Sequence, residues 1–289
     1  MKLIKLASIS KKLCMGALGA FLLIFLPFHM GMNLCILRDD GGEWYRNVCH
    51  FMGTNYIVKV FEVVLLACVL FHIVLGIILA IENKMSRPVG YAVANKSKTH
   101  QGSKFMIWTG GILLVFLVIH FVDFYFAKTG LVTGKYVVKT EKVEKAFQEK
   151  AMKMQQGQLK EADLKELQAQ YMAIQSLSGE KVAKNGKYFI NLTKEELQQT
   201  CGKDFKDYEP DFYNMAKEKF HNNLFVVIYL LAFIALGIHL YHGVGSVFQT
   251  YGLNIEKYAK TIDILAVIYA IVIPLGFAIV PLKVLLTAM

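Results

Sequence analysis

Five apolar blocks, each long enough to cross a bilayer, restrict what this chain can fold into. They fall at about 13–37, 56–81, 105–127, 222–250 and 262–286. A membrane-spanning helix needs roughly 20 apolar residues, and each block supplies that with length to spare for tilt. Within hydrocarbon the backbone must satisfy its own hydrogen bonds, which leaves helices and closed barrels as the spanning structures. Unbroken apolar runs of this length select helices. The expected fold is all-α, an integral membrane bundle of five transmembrane helices. Residues 1–127 carry the first three, 128–221 a polar and largely helical outer loop, and 222–289 the last two. The first block is too long for a signal-peptide core and has no small-x-small cleavage site, so it is expected to stay in the mature protein.

Charge sets an expected orientation. Lys and Arg number 32 against 22 Asp and Glu, a formal net charge of +10. No basic and aromatic stripe lies on a compact domain, so nucleic acid is not an expected partner. Cytoplasmic loops and anionic lipid account for the basic balance instead. Lys2, Lys5, Lys11 and Lys12 precede the first block; Lys84, Arg87, Lys96, Lys98 and Lys104 follow the second; Lys257 and Lys260 follow the fourth. The positive-inside rule places these segments, and the N-terminus, in the cytoplasm. The 38–55 loop, with Asp39, Asp40 and Glu43, falls outside. So does 128–221 despite its lysines, because long loops translocate largely regardless of charge. Lys139 to Ser178 reads as two helices interrupted at Gly157. Thr193-Lys194-Glu195-Glu196 fits a capping box that opens another. The fifth block, with Pro274, Pro281 and no charged residue between Asp263 and Lys283, reads as a packing helix.

The five cysteines, Cys14, Cys35, Cys49, Cys68 and Cys201, form no C-x-x-C pair, which argues against a zinc ribbon or a thioredoxin-type site. Arg46 stands where a covalent haem motif ending at Cys49-His50 needs its first cysteine, so any haem is held non-covalently. Cys14 and Cys68 read as small hydrophobes. Cys35 and Cys49 could pair across the short outer loop.

Chemistry enters with the histidines: His29, His50, His72, His100, His120, His221, His239 and His242. Five lie well inside spans, where burying an ionisable group is costly and marks a functional candidate. For any one of them, a helix–helix hydrogen bond is the bland alternative. Depth separates them into pairs. At about 1.5 Å of rise per residue, His29 and His120 lie about 12 and 10 Å from the outer ends of their helices. On the same scale His72 and His242 lie about 13 and 12 Å from the inner ends of theirs. Two pairs at matching depths, each joining two helices, are what two bis-histidine haem irons need. Gly16, Gly19, Gly76, Gly110, Gly111, Gly243 and Gly245 lie along these helices, where small residues admit a macrocycle or a neighbouring helix. His239 and His242 share nearly one helix face, and one ligand from that face suffices. His100 and His221 sit at span edges and take no role. On the outer side His50, and Glu62 inside the second span, are candidates for proton exchange with a quinone. For Glu62 a bond to a neighbouring helix is the alternative.

These strings resemble a known family: Phe28-His29-Met30-Gly31-Met32-Asn33-Leu34, Leu70-Phe71-His72-Ile73-Val74 with Ser86-Arg87-Pro88, Val118-Ile119-His120-Phe121-Val122-Asp123, and His239-Leu240-Tyr241-His242-Gly243 running into Phe248-Gln249. They are similar to the cytochrome b subunit of succinate:quinone oxidoreductases, in its diheme, single-subunit form. His50-Phe51-Met52-Gly53 resembles a further segment of that family. The likeness covers all five spans and leaves out 128–221. It implies two haem b groups with His29, His72, His120 and His242 as axial ligands, the His-Gly pair favouring His242 over His239. It also implies a flavoprotein subunit and an iron–sulfur subunit as partners at the cytoplasmic face of a bacterial inner membrane, and a quinone, by expectation menaquinone, as substrate. Dicarboxylate chemistry falls to those partners, since this chain has neither a flavin-binding G-x-G-x-x-G nor an iron–sulfur cysteine pattern. Leu240 stands where some diheme fumarate reductases have a Glu. Two rivals remain. One is the cytochrome b anchor of a hydrogenase or formate dehydrogenase. The other is a non-haem transporter, which calls for broken helices and a polar cavity, whereas few charges lie within these spans.

Overall fold

The computed structural model describes residues 8–86, 102–157, 161–177, 179–183, 186–202, 205–253 and 255–288. Lys2, Lys5, Arg87, Pro88, Lys96, Lys98 and His100 lie outside the described residues. In chain order the elements are α1 (Ser8–Leu34), α2 (Glu43–Thr54), α3 (Tyr56–Met85), α4 (Gly102–His120), β1 (Tyr136–Lys139), α5 (Thr140–Gln155), α6 (Glu161–Ser176), β2 (Tyr188–Leu192), α7 (Lys194–Cys201), β3 (Glu209–Pro210), α8 (Phe212–Phe220), α9 (Asn223–Thr250) and α10 (Glu256–Ala288). Five helical stretches are long and apolar enough to cross a membrane: Ile9–Leu37, Tyr56–Met85, Phe105–Thr129, Asn223–Thr250 and Glu256–Thr287. The chain is an all-α membrane bundle with a small sheet in its polar part. No disulfide joins the five cysteines, so the pairing of Cys35 with Cys49 is not made.

The chain divides into two compact units, one of residues 1–37, 51–117 and 222–289, the other of 38–50 and 118–221. The second unit contains 128–221, together with 118–127 and Arg38–His50.

In the first unit α9 and α10 pack along much of their length, and α1 packs on α3, α9 and α10. Local signals start the helices. Asn55 caps α3 by accepting from the Ile57 and Val58 amides, and Asn222 caps α9 through Leu224. Gly16 and Gly19 let α1 approach α9: an added Cβ would stand 3.1 Å from the Thr250 side chain and 3.7 Å from that of Val247. Polar ties close the ends. Lys11, 1% exposed, donates to Glu82 of α3 at 2.5 Å. Tyr251 donates to the Leu13 carbonyl at 3.0 Å. Large apolar side chains such as Leu70, Phe71, Trp108, Ile234 and Leu275 point outward, as a lipid-facing surface requires.

In the second unit the expected pair of helices forms as α5 and α6, with Gly157 between them at φ +69°. Thr193 opens α7 with both bonds of the capping box. A three-stranded antiparallel sheet, in the order β2-β1-β3, is the feature the sequence did not announce. Val138, Val143, Phe189, Leu192, Leu197 and Cys201 form its core. Asp211, fully buried, holds the unit together. It accepts from Arg46 Nε at 3.1 Å, Asn191 N at 3.0 Å and Asn214 Nδ2 at 2.7 Å. The Asn191 bond holds that residue at φ 55°, in the left-handed region. The Arg46 guanidinium lies over the Tyr213 ring, which presses so close to Gly42 (φ +86°) that a Cβ there would stand 2.5 Å from it. Removing one partner of a buried ion pair strands the other charge, at a cost of about 3–5 kcal/mol. Asp211→Ala should therefore lower the melting temperature of the full-length protein in detergent and open 118–221 to limited proteolysis. A melt and a digest like those of the parent would contradict this account of the unit.

Candidate functional site

A buried imidazole is tolerated in hydrocarbon only if something occupies its nitrogens, so the surroundings of each histidine indicate what it can do. His72 on α3 and His239 on α9 face each other, with ring centres 6.3 Å apart and planes at 70°. No hydrogen bond joins the two rings, and the buried Nδ1 of His72 has no partner among the described residues. His239 is held from a third helix. The hydroxyl of Thr109, a buried residue of α4, lies 3.3 Å from His239 Nδ1. That hydroxyl also bonds back to its own helix, at the carbonyls of Phe105 at 3.1 Å and Met106 at 3.2 Å. It thus ties one nitrogen of the His239 ring to α4, as the outer partners of metal-ligating histidines do. Beside it, Gly110 leaves the ring room: an added Cβ would stand 3.8 Å from His239 Cε1.

The spacing of the two rings fits a metal between them. Two metal–imidazole bonds of about 2 Å, with each ring centre about 1 Å behind its nitrogen, give roughly 6 Å between centres. The helices are also set for it. Neither α3 nor α4 packs its backbone extensively on the other or on α9 among the described residues, so the three meet through side chains around this point. The donor set and the spacing thus fit an axially ligated haem iron.

His242, which the resemblance favours, lies one helical turn beyond His239 on α9 and is half-buried. It is His239 whose ring faces His72. On α1, His29 is clamped in place. Phe25 stacks on it at 5.2 Å, Phe277 of α10 lies 5.5 Å away, and Asn33 donates to its carbonyl at 2.7 Å. His120 belongs to the second unit. It ends α4 where the helix widens into the π-turn Phe121–Phe126, with Phe124 at 5.3 Å from its ring. Such turns are frequent at functional sites.

His50, at the C-terminal end of α2, meets Glu209 of β3 at 2.5 Å. Arg46, Lys139, Lys142, Tyr188 and Asp207 line the same shallow crevice. Glu62 is half-buried on α3. His221 is exposed and bonds to the Lys217 carbonyl at 2.6 Å. Burial pushes the Cys201 thiol up to about 12, which leaves it an inert core residue. Thr109 and Glu209 are the residues that sequence reading missed. Thr109 left one trace, as the lone aliphatic hydroxyl in its apolar block. Glu209 left none, since only the folded sheet brings it to His50.

Comparison of the chain with protein-family models, with curated proteins and with solved structures finds no match.

Proposed function

We propose that this chain is the diheme cytochrome b anchor of a succinate:quinone oxidoreductase, a succinate dehydrogenase or fumarate reductase. It would carry electrons between an iron–sulfur subunit and a membrane quinone such as menaquinone. One observation carries the reading: His72 and His239 face each other inside the bundle with ring centres 6.3 Å apart, and the Thr109 hydroxyl is held against His239 Nδ1. The residue strings quoted above supply the family. The positive-inside rule supports a cytoplasmic N-terminus, and the resemblance implies a bacterial cytoplasmic membrane. On this reading the iron–sulfur and flavoprotein subunits dock at the cytoplasmic face.

His72 and His239 would hold one haem, His29 and His120 the other. When bound, b-type haems supply one-electron transfer. The rest is done by this chain. Thr109 orients His239, and Phe25 and Phe277 fix the ring of His29. Glu62, and His50 with Glu209, are the titratable groups available to exchange protons with a quinone.

Haem content of single variants tests the assignment. His72→Ala and His239→Ala should each lose the same haem, and His29→Ala and His120→Ala the other, while His242→Ala keeps both. Loss of the His72 haem in His242→Ala, with retention in His239→Ala, would return the ligand to His242. Normal haem content throughout would overturn the reading. For Glu62, quinone reduction rate is the measurement. Glu62→Gln should slow turnover with both haems in place, and an unchanged rate would leave Glu62 a packing residue.

A further inference from the structure

Two prolines in the spans release backbone carbonyls, and both carbonyls are met by the neighbouring helix just before a histidine. Proline has no N–H, so the carbonyl four residues earlier loses its helical partner. In hydrocarbon such a group must be satisfied by a neighbour. Pro27 in α1 releases the carbonyl of Leu23. The hydroxyl of Tyr269 on α10 donates to that oxygen. Pro274 in α10 releases the carbonyl of Ala270. That oxygen lies against Gly237 of α9, where an added Cβ would stand 2.9 Å from it. The absence of a side chain at Gly237 is what lets the oxygen come this close.

The placement matters more than the bonds alone. Pro27 lies two residues before His29, and Gly237 two residues before His239. α10 also supplies Phe277 to the ring of His29, and its Gly276 leaves space that Met30 fills, so a side chain at 276 would collide with the Met30 sulfur. The fifth span, which brings no histidine, thus touches α1 and α9 where each delivers one.

From these contacts we infer that α10 is the register element for the haem ligands, and that Tyr269 and Gly237 are positioning residues for His29 and His239. Tyr269 sets the height and bend of α1 through the Leu23 carbonyl. Gly237 sets how closely α9 rides on α10. The inference rests on the diheme reading and adds to it a role for a helix without ligands.

The test uses the purified full-length protein reconstituted with haem, read by low-spin EPR and by redox titration of each haem. Tyr269→Phe should move the EPR signal and midpoint potential of the His29 haem and leave those of the His72 haem in place. Gly237→Ala should do the reverse, or lose the His72 haem. A double-mutant comparison separates this from general loosening. Pro27→Ala restores an N–H to the Leu23 carbonyl, so in that background Tyr269→Phe should have little further effect. If the parent protein binds no haem, the diheme reading fails and this inference with it. If the parent binds two haems and Tyr269→Phe matches it in both readouts, the inference alone fails. An equal effect of Tyr269→Phe with and without Pro27 also overturns it.

Discussion

Hydrocarbon cannot solvate a polar atom, and that constraint governs the organisation of the spans. At several points in the first unit a polar group is met from another helix. Lys11 of α1 finds Glu82 of α3, and the Leu13 carbonyl takes the Tyr251 hydroxyl. The carbonyls released by Pro27 and Pro274 face Tyr269 and Gly237. The Thr109 hydroxyl bonds to its own helix and lies against His239 Nδ1. The buried Nδ1 of His72 has no hydrogen-bond partner among the described residues, which is costly in hydrocarbon.

The same constraint explains a division of labour among the helices. α9 and α10 pack closely and supply rigidity. α3 and α4 stand off from α9 and from each other, meeting it through His72, Thr109 and the rings of Phe116 with Tyr229 and Phe233. The polar unit obeys a different rule. There, one buried carboxylate, Asp211, ties α2, the sheet and α8 together through Arg46, Asn191 and Asn214.

How much was legible in the sequence follows from the length scale of each signal. The spans were legible because twenty apolar residues in a row are a local property. The α5–α6 pair and the capping box at Thr193 were legible for the same reason: propensity, Gly157 and Thr-x-x-Glu act within a few residues. The sheet was not, because strands as short as Glu209–Pro210 pair with Tyr136 and Val137 far away in the chain. His239 against His242 was a question of rotation about one helix, and a depth estimate coarse to a helical turn does not resolve residues one turn apart. Side-chain geometry places the ring of His239 against that of His72 and against the hydroxyl of Thr109. Glu209 as the partner of His50 was out of reach for the reason the sheet was.

The central claim is that histidines in these spans are iron ligands, and the most direct measurement is the haem stoichiometry and reduced-minus-oxidised spectrum of the purified protein, expressed with haem available. Two non-covalent haems per chain with a low-spin b-type spectrum are the predicted result. A folded protein that binds no haem would contradict it, and would leave His72 and His239 as an interhelical contact.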